Sequence, residues 1–187
     1  MGKQKMLNII AILAIMNVAY GMLVGAVLPF VIEDFTIRQA IIGLGNFITV
    51  ALGYFVMKVS ASSSGRNAGM LIIGQSVFYI SLKIVELATL SGNGTLPTYF
   101  GVMIRIVDIA FVVPIGYLLY KEFQCKAAKL LRNGYWLSAL CFLLILVVNM
   151  FDLSKEQLVV FAAVYSMLLI VPLIMRLIGW VKLREQV

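Results

Sequence analysis

The chain has 187 residues, 63% of them hydrophobic and only 12% charged, with a mean hydropathy of +1.04. A soluble domain is about half apolar and about a quarter charged, so this composition excludes an ordinary water-soluble fold and points to an all-α polytopic membrane protein, one integral membrane domain over residues 1–187. The net charge of +7 is read by position and not as a nucleic-acid footprint, and the lack of any histidine removes the commonest metal ligand and the usual general base near neutral pH.

A spanning helix needs about 20 mainly apolar residues, and six segments qualify, at about 6–32, 39–58, 68–90, 98–120, 133–151 and 157–181. The first follows Met-Gly-Lys-Gln-Lys, which resembles the charged start of a signal peptide. Its apolar stretch runs well past the 7–15 residues of a signal core, so an uncleaved first helix is expected. Met6 stands where a myristoylation motif takes Ser or Thr, so lipidation is not expected. Gly21, Gly25 and Pro29 predict tilting or a kink near the far end of this helix. The Gly21/Gly25 spacing also admits a second helix closely, within the chain or from a partner. Pro114 and Pro172 lie inside the fourth and sixth helices, where each frees a carbonyl.

The connections are the short polar stretches "EDFTIR", "SASSSGRN", "SGNGTLP", "KEFQCKAAKLLRNG" and "DLSKEQ". With a cytoplasmic N-terminus, Lys3, Lys5, Lys58, Arg66, Lys121, Lys126, Lys129, Arg132, Lys182 and Arg184 fall inside. Only Arg38 and Lys155 fall outside, beside Glu33, Asp34, Asp152 and Glu156. That asymmetry predicts a six-helix bundle with both termini cytoplasmic, in the cell membrane. "VLPFVIEDF" and "VVPIGYLLYKEF" share an internal Pro and an acid–Phe ending. Two halves of three helices would be inverted repeats, a transporter design, but the match is confined to these few positions.

The third and fourth spanning segments carry four charges in two like heptads, "LKIVELA" at 82–88 and "IRIVDIA" at 104–110. A charge at the middle of a spanning helix costs about 3 kcal/mol. Folded as an antiparallel hairpin about residues 95 and 96, the third and fourth helices would set Lys83 level with Asp108 and Glu86 level with Arg105. These four form an expected neutral network of two cations and two acids. It is either a clamp for the hairpin or the border of a ligand or ion site.

Asn17, Asn46 and Gln75 are further candidates for lining a cavity, with Thr49, Ser76, Asn149 and Ser166 as additional polar side chains within the spans. Each one singly suits an interhelical hydrogen bond. Arg176 is expected to snorkel to an interface, and the tyrosines with Trp136 and Trp180 to anchor helix ends there. Lys126, Lys129 and Arg132 recur every third residue in "KAAKLLR". They superficially resemble a voltage-sensor ladder but lie in a connection, so a short interfacial helix touching anionic lipid or a cytoplasmic partner is expected. "NGT" at 93–95 is formally a glycosylation sequon.

Cys125 and Cys141 have no zinc or redox spacing, no phosphate-binding loop is present, and both intramembrane acids are matched to cations. Neither an enzyme nor a cofactor is expected. In size and topology the chain is similar to the substrate-binding components of vitamin-uptake transporters, a resemblance of layout that no motif carries. It implies a bundle that binds a small solute. Two functions are therefore expected: a small-solute or ion transporter or its substrate-binding component, or a non-catalytic subunit, assembly factor or sensory module. Partners follow accordingly: the lipid bilayer, a membrane or cytoplasmic protein subunit, and no nucleic acid.

Overall fold

The computed structural model describes residues 2–26, 31–32, 34–91, 99–151 and 154–187. Pro29, Glu33, Asp152 and the sequon at 93–95 lie outside the described residues. Six long helices occur among those described: α1 Lys3–Ala26, α2 Phe35–Val59, α3 Ser63–Ser91, α4 Tyr99–Phe123, α5 Lys126–Val148 and α6 Lys155–Gln186. Each contains a stretch long and apolar enough to cross a membrane. Large apolar side chains such as Ile12, Phe47, Met103, Leu140 and Met167 stand exposed along them, as expected where the surrounding medium is hydrocarbon.

Their ends are chemically marked. Asp34 caps α2, its carboxylate accepting from the Ile37 N–H at 3.0 Å. Ser154 and Gln157 form a reciprocal capping box at the start of α6, each side chain satisfying a backbone donor that the first turn leaves over. Cys125 caps α5 through the Ala128 N–H, and the Gln186 side chain reaches across to accept from the Ala127 N–H at 2.8 Å.

That cap corrects one expectation. "KAAKLLR" is not a separate interfacial helix but the first two turns of α5, because nothing between residues 126 and 148 interrupts the helix. Gly134 is buried where α5 meets the backbone of Pro172 and Arg176 on α6.

Only Gln124 and Cys125 separate α4 from α5, and Gln124 takes a φ of 45° to turn the chain. A left-handed residue with a Cβ costs about 1–2 kcal/mol. Gln124→Gly is therefore expected to raise the thermal midpoint of the purified chain, with a gain of about 1 kcal/mol read by differential scanning fluorimetry in detergent. An unchanged or lower midpoint would show that the side chain's bond to the Lys121 carbonyl outweighs the strain.

The chain divides into two compact units, Met1–Pro97 and Thr98–Val187. In the first, α2 packs against both α1 and α3; in the second, α5 packs against both α4 and α6. The buried apolar side chains of the first unit include Leu7, Ile10, Ala11 and Ala14 of α1, Leu52, Val56 and Val59 of α2, and Ala68, Ile72 and Leu82 of α3. Because neighbouring helices run antiparallel, all of these but Leu82 lie toward one end of the unit. There the backbones of α2 and α3 come closest: a Cβ on Gly69 would lie 2.6 Å from the Gly53 carbonyl oxygen. The opposite half is packed less tightly, and it holds the polar residues.

Candidate functional site

In that looser half of the first unit, the three helices enclose a cleft of about 310 Å³. Asn17, Tyr20 and Gly21 line it from α1, Asn46 and Thr49 from α2, and Tyr79 and Lys83 from α3. Local packing explains its shape. The Tyr20 ring lies against Gly45, where a Cβ would come within 2.7 Å of it, and its hydroxyl donates to the Ile41 carbonyl. The Thr49 hydroxyl donates to the Asn17 side-chain oxygen at 3.3 Å, joining α1 to α2. That bond engages the Asn17 side-chain oxygen, and its NH2 is the remaining donor end of the amide. Asn46 donates one N–H to the Gly43 carbonyl at 3.3 Å and retains its second N–H and its side-chain oxygen.

Lys83 is the one charged side chain in the lining of this cleft. Its ammonium donates to Glu86 at 2.6 Å, one turn along α3. Both side chains are largely but not fully withdrawn, at 21% and 15% exposure. At 1.5 Å of rise per residue, Lys83 stands about 12 Å from the end of α3. Lys83 also borders a second, smaller groove of about 150 Å³ on the other side of the α2–α3 seam, among Gln39, Leu44, Phe47, Ile80 and Ile84.

The second unit has its own embedded pair. Arg105 donates to Asp108 at 3.2 Å along α4, and Asp108 is almost fully buried at 1% exposure while Arg105 keeps 35%. The Arg105 guanidinium lies over the Phe142 ring of α5, 5.5 Å from its centroid. The Tyr165 hydroxyl of α6 is buried without a hydrogen-bond partner among the described residues, within electrostatic reach of Arg105, Asp108 and Cys141.

Within each unit the described ion pairs are local, Lys83 with Glu86 and Arg105 with Asp108. A spacing of three residues brings charged ends together on one helix whatever lies beside it, and each of the four charges has its ion-pair partner one turn away. The cross-hairpin pairs, Lys83 with Asp108 and Glu86 with Arg105, would span the two units. Of the candidate lining residues, Asn17 and Asn46 share the cleft with Lys83, whereas Gln75 lines neither cavity. Ser76 and Ser166 turn back onto the carbonyls of Ile72 and Ala162, and Asn149 caps the end of α5.

Gly21 borders the cleft, and a Cβ there would meet nothing within 4 Å. Gly25 is helical, and its surroundings lie outside the described residues. Lys126 and Lys129 are exposed at the start of α5. Arg132 differs from them: its guanidinium packs over the Tyr120 and Trp136 rings and donates to Asn133. Trp136 is exposed, and its indole N–H donates to the Val113 carbonyl next to Pro114. Arg176 does not simply snorkel: it lies over the Tyr135 ring, and its Nε is buried without a hydrogen-bond partner among the described residues.

Tyr20, Tyr79 and Gly45 are the site residues that sequence reasoning missed. Equal-depth counting about the connection at 33 would have found two of them, because it sets Tyr20 near Gly45 and Asn46, and Asn17 level with Thr49. No group of three or more potential metal ligands occurs among the described residues. Compared with protein-family models, with curated proteins and with solved structures, the chain matches none.

Proposed function

We propose that the chain is a multi-pass integral membrane protein that binds a small polar solute, either as a transporter or as the substrate-binding membrane component of one. The cleft of the first unit carries this reading. Five hydrogen-bonding side chains and one ammonium converge on about 310 Å³ within helices otherwise apolar enough to span a membrane. Volumes from about 300 Å³ upward suit small-molecule sites, and ionisable groups within spans mark solute or ion paths by default. The distribution of Lys and Arg supports a cell-membrane protein with both termini cytoplasmic. The shortage of catalytic groupings supports binding and not catalysis.

A second reading, a non-catalytic subunit or sensory module, rests on a different observation: Lys126 and Lys129 stand exposed at the start of α5. An anionic lipid surface or an acidic partner would meet them there.

Gly21→Leu separates the two. A side chain at Gly21 enters open space in the cleft, so it fills the site without disturbing a helix contact. Native mass spectrometry of the gently solubilised wild-type chain is expected to show a small-molecule adduct, and the folded Gly21→Leu protein is expected to lose it. A wild-type chain that carries a protein partner and no small molecule would favour the subunit and defeat the solute-binding reading.

A further inference from the structure

Resting on the multi-pass membrane reading, we infer that the second unit holds an anionic phospholipid against α5, its phosphate on Arg132 and Lys129 and an acyl chain along Trp136, Leu140 and Leu143. Spacing puts these five side chains on one stripe, because steps of three, four, four and three residues stay on one face of a helix. The structure leaves that face open. Lys129 and Trp136 are exposed, and so are Leu140 and Leu143.

The polar end of the stripe suits an anion. Neither Lys129 nor Arg132 has an ion-pair partner among the described residues. Arg132 is also held in place before any ligand arrives. Its guanidinium lies 4.6 Å from the centroid of the Tyr120 ring and 4.9 Å from that of Trp136. Two of its five N–H donors go to the Asn133 side-chain oxygen. The others remain in a planar fork, which matches phosphate oxygens two at a time. Trp136 is fixed in turn, its indole N–H donating to the Val113 carbonyl of α4 at 3.2 Å. A guanidinium already immobilised against two rings loses little freedom on binding.

The apolar end selects a lipid over a soluble anion. One leaflet contributes about 15 Å of hydrocarbon, half of a core of about 30 Å. From Arg132 to Leu143 the helix rises about 16 Å, so the stripe matches the headgroup and chain of one lipid molecule. Inorganic phosphate would use only its cationic end, and an acidic protein loop would leave its leucines uncovered. With both termini cytoplasmic, the start of α5 lies on the same side, in the leaflet where anionic lipids concentrate.

The test reads bromine quenching of tryptophan fluorescence in the full chain reconstituted into phosphatidylcholine vesicles. Trp180→Phe leaves Trp136 as the single tryptophan. Brominated phosphatidylglycerol is expected to quench it at a mole fraction at least about fivefold lower than brominated phosphatidylcholine, the share of one cation near an anionic surface. Arg132→Gln and Lys129→Gln are each expected to cut that preference at least about threefold. Lys182→Gln, which removes an exposed charge from the last turns of α6, is expected to leave it unchanged. An equal loss in all three variants would show diffuse surface attraction and overturn the site. Equal quenching by both lipids overturns it, as does quenching by neither, the result if a protein covers this face. Should Trp180→Phe fail to fold, native mass spectrometry of the chain with its tryptophans intact compares adducts of the two lipids across the same variants. Glycerol 3-phosphate bound there as tightly as phosphatidylglycerol also overturns the proposal. A chain that stays outside the vesicles on a density gradient defeats the membrane reading itself.

Discussion

Gly69→Ala is expected to destabilise the chain by about 2 kcal/mol or more, although the same substitution in an open helix would stabilise it. The added methyl would stand 2.6 Å from the Gly53 carbonyl oxygen and 2.9 Å from the Met57 nitrogen. Both are backbone atoms, so no rotamer change relieves the overlap, and α2 and α3 have to part. The seam that parts is the closest approach in the first unit, flanked by the buried Val56 and Ile72. Gly43 supplies the control. It lies on α2 with nothing within 4 Å of a Cβ, so Gly43→Ala is expected to gain up to about 1 kcal/mol from helix propensity alone. Thermal unfolding of both variants in one detergent is the measurement. Shifts of the same sign would refute close packing of the two helices.

Asp108→Ala is expected to cost about 2 kcal/mol, with Arg105→Met costing more because it leaves the buried carboxylate without its cation. Removing one member of a fully buried pair costs about 3–5 kcal/mol, whereas exposed pairs contribute well under 1 kcal/mol. Asp108 is buried at 1% exposure but Arg105 retains 35%, so the orphaned guanidinium can recover part of its solvation. The double variant Arg105→Met/Asp108→Leu leaves no charge behind and is expected to fall closer to wild type than Asp108→Ala does. An additive double variant would show that the two side chains are energetically independent despite their contact.

The sequence made the helices legible because a run of about 20 apolar residues has few alternatives in a short chain. The start of α5 was hidden for the same reason inverted. Lys126, Lys129 and Arg132 read as a loop by hydropathy, yet a helix tolerates such residues once it leaves the apolar layer, and Arg132 finds two aromatic faces there. Asn17 and Asn46 were visible as candidate lining residues because an amide is conspicuous among Leu, Ile and Val, and both line the cleft. Tyr20 and Tyr79 were not, since tyrosine suits both an interface and a cleft, and only depth relative to α2 distinguishes the two. The pairing of the charges was underdetermined in principle. Lys83 and Glu86 are spaced to meet along one helix, and the same spacing makes them available to a second helix.

Lys83 has a wall on either side of it. It borders the polar cleft toward α1 and the apolar groove of Gln39, Leu44 and Phe47 behind the α2–α3 seam. Its ammonium is held by Glu86 at 2.6 Å, so one ion pair bears on both spaces at once. A substitution at Lys83 alters the lining of the polar cleft and of the apolar groove together, and leaves the glycine contact between α2 and α3 as it was.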